Sequence, residues 1–393
     1  MKLDQCRNWR DFRVKAKRAL PAPLFHYIDG AADDEWSIAN NTEAFSAYEF
    51  QTEVLNDISS IDTKTTILGA NIDVPFFLSP TGMSRLFHHG KERAVARAAH
   101  KIGTMYSLST LGTTTMAEVA KANPGPNMYQ VYLLKDRGLA RHFIDGAKEA
   151  GFTSLCLTVD TPVHGNRERD YRTGMIMPPK WTLGSLASFA AHPIWAMHYA
   201  LEPDFRIANV ANYTTDGLQR AGTMGLMEYI NSQFDMSLNW SHAEWLASEW
   251  GGPIAIKGVV SPGDVVKARD AGFTAAMLSN HGGRQLDGTP APVDCIRPVR
   301  DVVGDSMELI VDGGIRRGTH VLKALALGAD AVSFGRPYLY ALAAGGHDGV
   351  LRMLELMRDE VIRGMQLLGV TKISDISEKH VRSVGAMRDL LQR

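Results

Sequence analysis

A chain of 393 residues is long enough for two or three average domains, although an α/β barrel fills such a length as one unit. With 42 Lys and Arg against 43 Asp and Glu, the net charge is −1, which supplies no overall field for nucleic acid or an anionic lipid surface and excludes a binder of that kind. A hydrophobic content of 45% with 22% charged residues is that of a chain that buries a core, not of a disordered one.

The first 60 or so residues read as helix plus loop, and their charge-studded start lacks the apolar stretch of a secretory signal. Eight short apolar runs then recur: residues 74–80, 104–110, 127–132, 153–160, 253–259, 274–280, 308–314 and 329–335. Each ends in a small or polar residue and leads into an amphipathic segment, the pattern of buried parallel strands alternating with helices. Their centres repeat at roughly 21 to 33 residues apart from one gap of about 100 between the fourth and fifth. Eight such units predict a (β/α)8 TIM barrel over about 65–345, with a helical N-terminal extension and an insertion at about 161–240. Residues 337–393 read as the eighth helix followed by a helical tail, all within one domain. A doubly wound open sheet is the competing fold, but the glycine fingerprint expected after its first strand is absent. Cys6, Cys156 and Cys295 stand far apart, so no disulfide framework or metal site is expected and a cytoplasmic, reducing compartment fits.

Within the insertion, residues 181–201 contain no Asp, Glu, Lys or Arg. Their length just reaches that of a bilayer span, but Pro193, two histidines and several Ser and Thr argue against one. Two readings stay open: a loop packed on the barrel or a neighbouring subunit, and an apolar patch dipping into a membrane from one side.

In a TIM barrel the reactive groups sit at the C-terminal strand ends. Here those ends carry Thr81, Gly82, Ser109, Gln130, Tyr132, Thr158, Asp160, Lys257, Ser279, His281, Asp312, Gly335 and Arg336. The last two strands end in DGGIRRG (312–318) and FGRP (334–337); glycines admit a phosphate to the backbone amides, and Arg316 or Arg336 adds charge-assisted hydrogen bonds. A phosphorylated cofactor or substrate is expected. Lys257 ends an apolar strand and needs an anionic partner, either a structural carboxylate or a cofactor that becomes negative during turnover. In SNHGGRQLDG (279–288), His281 suits a general base and Arg284 a bidentate carboxylate ligand. Asp160 is placed to hold the imidazolium that forms, and Arg167 is a second carboxylate ligand.

SNHGGRQLDG, TVDTP, PTGM, the Gln130-Val131-Tyr132 strand end, IKGV, DGGIRRG and LGADAVSFGRP together resemble the FMN-dependent L-2-hydroxy acid dehydrogenase and oxidase family, over nearly the whole chain. The resemblance implies oxidation of an (S)-2-hydroxy acid to its 2-oxo acid, with His281, Asp160, Tyr132 and Lys257 in catalysis. Tyr27, Tyr132, Arg167, Arg284 and His281 would bind the substrate. FMN would lie on Pro80, Thr81, Gly82, Ser109, Gln130, Thr158, Lys257 and Ser279, its phosphate on Asp312, Gly313, Gly314, Arg316, Gly335 and Arg336, and Lys257 beside the ring edge that gains negative charge. Gly82 stands where oxidases of the family carry alanine, and 181–201 resembles the membrane-contacting segment of its bacterial dehydrogenases. Both favour a quinone or another acceptor over dioxygen, in a homotetramer that is cytoplasmic or peripheral on the inner membrane. Leu111 replaces the tryptophan of glycolate-oxidising members, which points to L-lactate; a mandelate-type dehydrogenase and a peroxide-forming oxidase are the alternatives.

Overall fold

The computed structural model describes residues 2–176, 180, 182–201, 205–213 and 222–384. Ahead of the barrel lie helices Trp9–Ala19, Ala22–Asp29 and Trp36–Glu43, the first started by the Asn8 side chain, which accepts from the Arg10 amide at 2.9 Å. Three short strands follow, β1 (Tyr48–Phe50), β2 (Thr65–Ile67) and β3 (Ala70–Ile72). Then come β4 (Phe76–Thr81), β5 (Tyr106–Ser109), β6 (Asn127–Val131), β7 (Ser154–Thr158), β8 (Ile254–Val259), β9 (Ala275–Leu278), β10 (Glu308–Asp312) and β11 (Ala331–Phe334). These last eight pair in parallel and close into a barrel in the order β10-β11-β4-β5-β6-β7-β8-β9, so each apolar run of the sequence holds one strand of a (β/α)8 barrel. Strands β5, β6, β7, β9 and β11 are buried throughout, which is why they read as continuous apolar runs and not as alternating ones.

The antiparallel pair β2–β3 has no counterpart in the sequence reading. Ile67, Leu68, Ala70 and Ile72 pack with the barrel residues Phe77, Met128, Cys156, Met277 and Ile310 in one apolar cluster, and the Leu68 amide donates to Glu308 Oε2 at 2.7 Å. The hairpin therefore plugs the N-terminal mouth of the barrel. All three cysteines are buried and free.

The helical tail needs correction. The eighth helix and a helical tail do run from Arg336 to Leu368, separated by non-helical Gly345 and Gly346, but beyond them short 3-10 turns and strand β12 (Val381–Ser383) follow, and β12 pairs antiparallel with β1. Residues 385–393 lie outside the described residues. The C-terminal strand thus clasps the N-terminal extension.

The insertion leaves β7 and returns through helix Trp240–Trp250. Its uncharged stretch forms two short helices, Leu183–Ala190 and Pro193–Leu201, residue 181 lying outside the described residues. Among the described residues no helix is long and apolar enough to cross a membrane. One face packs inward: Trp195 donates to the Leu86 carbonyl at 2.8 Å, and Ser188 Oγ accepts from the Ala22 amide at 2.8 Å. The other face leaves Leu183 87% and Ile194 70% exposed, with Leu186 and Met197 also exposed.

The loops above β4 and β5 are joined by Glu92. It is fully buried and accepts from the Ser84 and Thr113 amides and from the Thr113 and Thr114 hydroxyls at 2.7–3.2 Å. Glu92→Ala leaves these donors buried without an acceptor, and a loss of about 3 kcal/mol in unfolding free energy is expected. A denaturant midpoint equal to that of the parent chain would contradict this.

Candidate active site

At the C-terminal ends of the strands a cavity of about 420 Å3 gathers most of the candidate residues on one wall set: Tyr27, Pro80, Thr81, Gly82, Ser109, Tyr132, Arg167, Lys257, His281, Arg284, Asp312, Gly313, Gly314, Arg316, Gly335 and Arg336. Four candidates stand behind that wall. Gln130 accepts from Ser109 Oγ at 2.9 Å, Ser279 bridges Lys257 and Asp312, Asp160 holds His281, and Thr158 is paired with Lys257 across β7 and β8.

His281 Nδ1 lies 2.8 Å from Asp160 Oδ1. That contact assigns the ring proton to Nδ1 and leaves Nε2 as the basic nitrogen. Burial holds the His281 pKa below the ordinary imidazole value, with the opposing pull of Asp160 insufficient to restore it. Burial also opposes ionisation of Asp160, but the neighbouring His281 and Lys257 outweigh it and keep the carboxyl below the usual range. The pair is therefore a neutral base beside an ionised orienting acid. Close approach of Asp160 depends on Gly258, whose φ is +97° and where a Cβ would meet the Asp160 carboxyl carbon at 2.5 Å.

Two pairs of arginines face the same cavity. Arg284 donates to the carbonyls of Tyr27 at 2.5 Å and Gly30 at 3.2 Å, and its guanidinium sits 4.7 Å from the centre of the Tyr27 ring. Arg167 donates to the Arg284 carbonyl and to Gln285 Oε1, both at 3.3 Å. Arg336 donates to the carbonyls of Ile28 at 2.7 Å, Gly30 at 3.1 Å and Gly282 at 3.2 Å. Arg316 donates to the Ile315 carbonyl at 2.9 Å. Among the described residues none of the four has a carboxylate at ion-pair distance. Burial lowers Arg284 and Arg336 to about 10 and lowers Arg316 as well. Buried Arg316 and half-buried Arg167, Arg284 and Arg336, without carboxylates among the described residues, call for anionic ligands: one beside His281, the other where Gly313 and Gly314 turn through positive φ. A Cβ at Gly314 would lie 1.8 Å from the Asn41 carbonyl oxygen.

The carbonyls that hold Arg284 and Arg336 end helix Ala22–Asp29, which Asp29 anchors. Its carboxylate accepts from Arg13 at 2.5 and 2.8 Å, from Arg169 at 3.0 Å and from the Tyr340 hydroxyl at 2.7 Å. Arg169 also pairs with Glu35. None of this network was evident in the sequence.

Lys257 and Asp312 are another difference. Of the two partners left open for Lys257, the structure supplies a carboxylate: Nζ lies 2.8 Å from Asp312 Oδ2. Asp312 also accepts from Ser279 and Ser333, each at 2.8 Å, and from Ser79. The pull of Lys257 overcomes burial and keeps Asp312 ionised, while Asp312 overcomes burial to raise Lys257. A side chain so occupied, and negative, is no ligand for a phosphate, which leaves Gly313, Gly314 and the arginines as the candidates for one. Ser79 and Ser333 were missed as site residues; their signal is a hydroxyl inside the apolar runs FFLSP and AVSFG. Met175, Ile176, Ile230 and Phe234, which line the cavity from the insertion, had no periodic signal.

The residues fit FMN. Among the described residues buried Gln130 Nε2 and Thr158 Oγ1 have no hydrogen-bond partner, and Thr158 is the register neighbour of Lys257, as polar edges of a flavin ring require. Arg316, Arg336 and the Gly313–Gly314 turn meet the needs of a phosphate.

Comparison with known proteins agrees. The pattern of the FMN-dependent dehydrogenases matches residues 16–383. The chain is similar to the glycolate oxidase of Spinacia oleracea, 36% identical over 374 residues and 95% of each chain. It is 38% identical over 373 residues to the putative L-lactate dehydrogenase of Mycobacterium tuberculosis, covering 95% of this chain and 88% of that one. Among solved structures it is similar to the monotopic membrane protein (S)-mandelate dehydrogenase, with a TM-score of 0.92, 30% identity and coverage of 96% and 100%. With a His–Asp pair and arginines that lack carboxylate partners among the described residues around one cavity, the chain belongs to the FMN-dependent dehydrogenase family and is a flavoprotein that oxidises 2-hydroxy acids.

Proposed function

We propose that the chain oxidises (S)-2-hydroxy acids with a small apolar side chain, L-lactate foremost, and passes the electrons to a quinone. The observation that carries the reading is the His281–Asp160 pair facing Arg167 and Arg284, two guanidiniums without carboxylates, in one cavity. Arg284 and Arg167 take the substrate carboxylate in a bidentate grip. His281 Nε2 accepts the substrate proton, and Asp160 stabilises the imidazolium. Burial raises the Tyr132 pKa, so its hydroxyl stays protonated and, with Tyr27, donates to the substrate. Lys257, fixed by Asp312, sets a positive charge at the cavity floor. FMN, when bound there, supplies the two-electron acceptor for the hydroxy acid.

The side-chain preference rests on the apolar walls Met83, Leu111, Met175, Ile230 and Phe234, which offer an aliphatic or aromatic group contacts that glycolate lacks. Kinship to glycolate oxidases makes glycolate the competing substrate. The acceptor reading rests on Gly82, and on the exposed apolar face of 183–201 in a chain similar to a monotopic membrane protein. That face supports peripheral attachment to a membrane holding the quinone.

The discriminating experiment is anaerobic bleaching of the flavin by glycolate and by the L- and D-isomers of lactate and mandelate; fastest bleaching by glycolate, by L-mandelate or by a D-isomer would refute the substrate assignment. His281→Gln is expected to retain FMN and slow bleaching by at least about 10^3, and near-parental rates would remove His281 from its role. Because the His281 pKa is lowered, the base stays neutral as pH falls through about 6.5, the ordinary imidazole value. The acid limb of kcat/KM is therefore expected below that point; a limb centred above it would show a protonated histidine instead. The holoenzyme is expected to sediment with membranes, resist high salt and be released by mild detergent, since apolar burial is little screened by ions. Replacement of residues 183–201 by a polar linker that abolishes bleaching would instead make this segment part of the active-site fold.

A further inference from the structure

A second cavity, of about 540 Å3, lies beside the first. Its inner wall is the outer face of the barrel at Leu157, Ile256 and Val259, and its outer wall is Leu238, Trp240 and Ala243 at the start of helix Trp240–Trp250. Tyr132, Thr161 and Phe234 line both cavities, so the partition is one layer of side chains. Within it the Phe234 ring lies 5.5 Å from the Tyr132 ring and 5.5 Å from that of His164. Phe234 is held in register by a bridge to Leu134, and the Lys135 amide donates to the Gln233 carbonyl at 2.8 Å.

Most polar groups of this second chamber are committed within the fold, Asp235 to Arg137 at 3.2 Å among them, while buried Thr158 Oγ1 has no partner among the described residues. Asn239 caps its helix through the Ser241 amide at 3.1 Å, His242 Nδ1 accepts from the Asn239 amide at 3.2 Å, and Asp264 pairs with Lys267 at 3.1 Å. What is offered to a ligand is aliphatic and aromatic surface with the one Thr158 hydroxyl, and the rim is largely apolar: Met236 is 79% exposed, with Val159 and Leu238 partly so. The volume lies within the range of about 300–1,000 Å3 usual for small-molecule sites. These features suit a planar apolar ring entering from the apolar rim, and they do not suit a second hydroxy acid, for which no cation is present in the lining.

We propose that the second cavity binds the ring of a quinone electron acceptor, across the Tyr132–Phe234 partition from the hydroxy acid. The proposal rests on the quinone-linked reading above and adds the site. The balance closes with these two reactants: the hydroxy acid loses two electrons and two protons on becoming the 2-oxo acid, and the quinone gains two electrons and two protons and departs as the quinol. Both ligands have their own chamber, so 2-oxo acid and quinone do not displace one another.

The test uses the FMN-loaded enzyme, a benzoquinone bearing one isoprenoid unit as the apolar acceptor, and hexacyanoferrate(III) as a polar acceptor unsuited to the chamber. Ala243→Phe fills the cavity, and Leu238→Asp, at a half-exposed rim position, charges its mouth without burdening the fold. Both are expected to raise the quinone KM by about tenfold or more and to weaken quinone binding to the oxidised enzyme in equilibrium dialysis by a similar factor. Anaerobic bleaching by L-lactate and turnover with hexacyanoferrate(III) are expected to stay unchanged. Saturating pyruvate is expected to leave quinone binding as it was. Unchanged quinone KM and binding in both variants, competition between pyruvate and quinone, or a parental enzyme that does not bind the quinone would each overturn the proposal. Failure of bleaching by every 2-hydroxy acid would instead overturn the function proposed above.

Discussion

The pairing of Lys257 with Asp312 is the interaction on which the upper half of the barrel depends. Lys257 comes from β8 and Asp312 from β10, while the hydroxyls that complete the carboxylate come from Ser79 of β4, Ser279 directly after β9 and Ser333 of β11. Five of the eight strands therefore meet at one buried charge pair. Removing either charge leaves the other uncompensated in a low-dielectric setting, which costs more than the pair itself contributes. The lysine thus carries two duties, holding strands together and presenting a positive charge to the cavity floor. Their separation needs measurements of stability as well as activity in the same variant.

Above that floor the arrangement is governed by cations. Arg284 and Arg336 are buried against main-chain carbonyls at the C-terminal end of helix Ala22–Asp29. The negative end of a helix dipole partly offsets such charges, but carbonyls neutralise less than a carboxylate would. The remaining deficit suits the site to a phosphate on one side and to the proposed substrate carboxylate on the other. Asp29, gripped by Arg13, Arg169 and Tyr340, keeps that helix end in place and links it to the insertion through Arg169.

The barrel was legible because a strand buried on both faces leaves an uninterrupted apolar run whose end can be counted, and the reactive groups sit at those ends. His281, Asp160 and Lys257 were found in this way. The hairpin β2–β3 and the pair β1–β12 were not, because three-residue strands carry no period, and residues 48 and 383 meet only through tertiary structure. Asp312 was assigned to the phosphate because its neighbours Gly313 and Gly314 point there; the alternation of a strand sends its side chain inward instead. Phe234 and Ile230 belong to an insertion without repeat or motif, so their place in the cavity wall had no sequence signal.

The plug formed by β2 and β3 makes the barrel a vessel with a single opening. Beneath the Lys257–Asp312 floor the interior is apolar, and its one thiol, Cys156, is kept protonated by burial, its pKa pushed up to about 12. Among the described residues no relay of ionisable groups leads through that cluster to the far side. The proton that His281 is proposed to collect therefore cannot drain through the bottom of the barrel and must leave on the C-terminal side, where both proposed reactants bind.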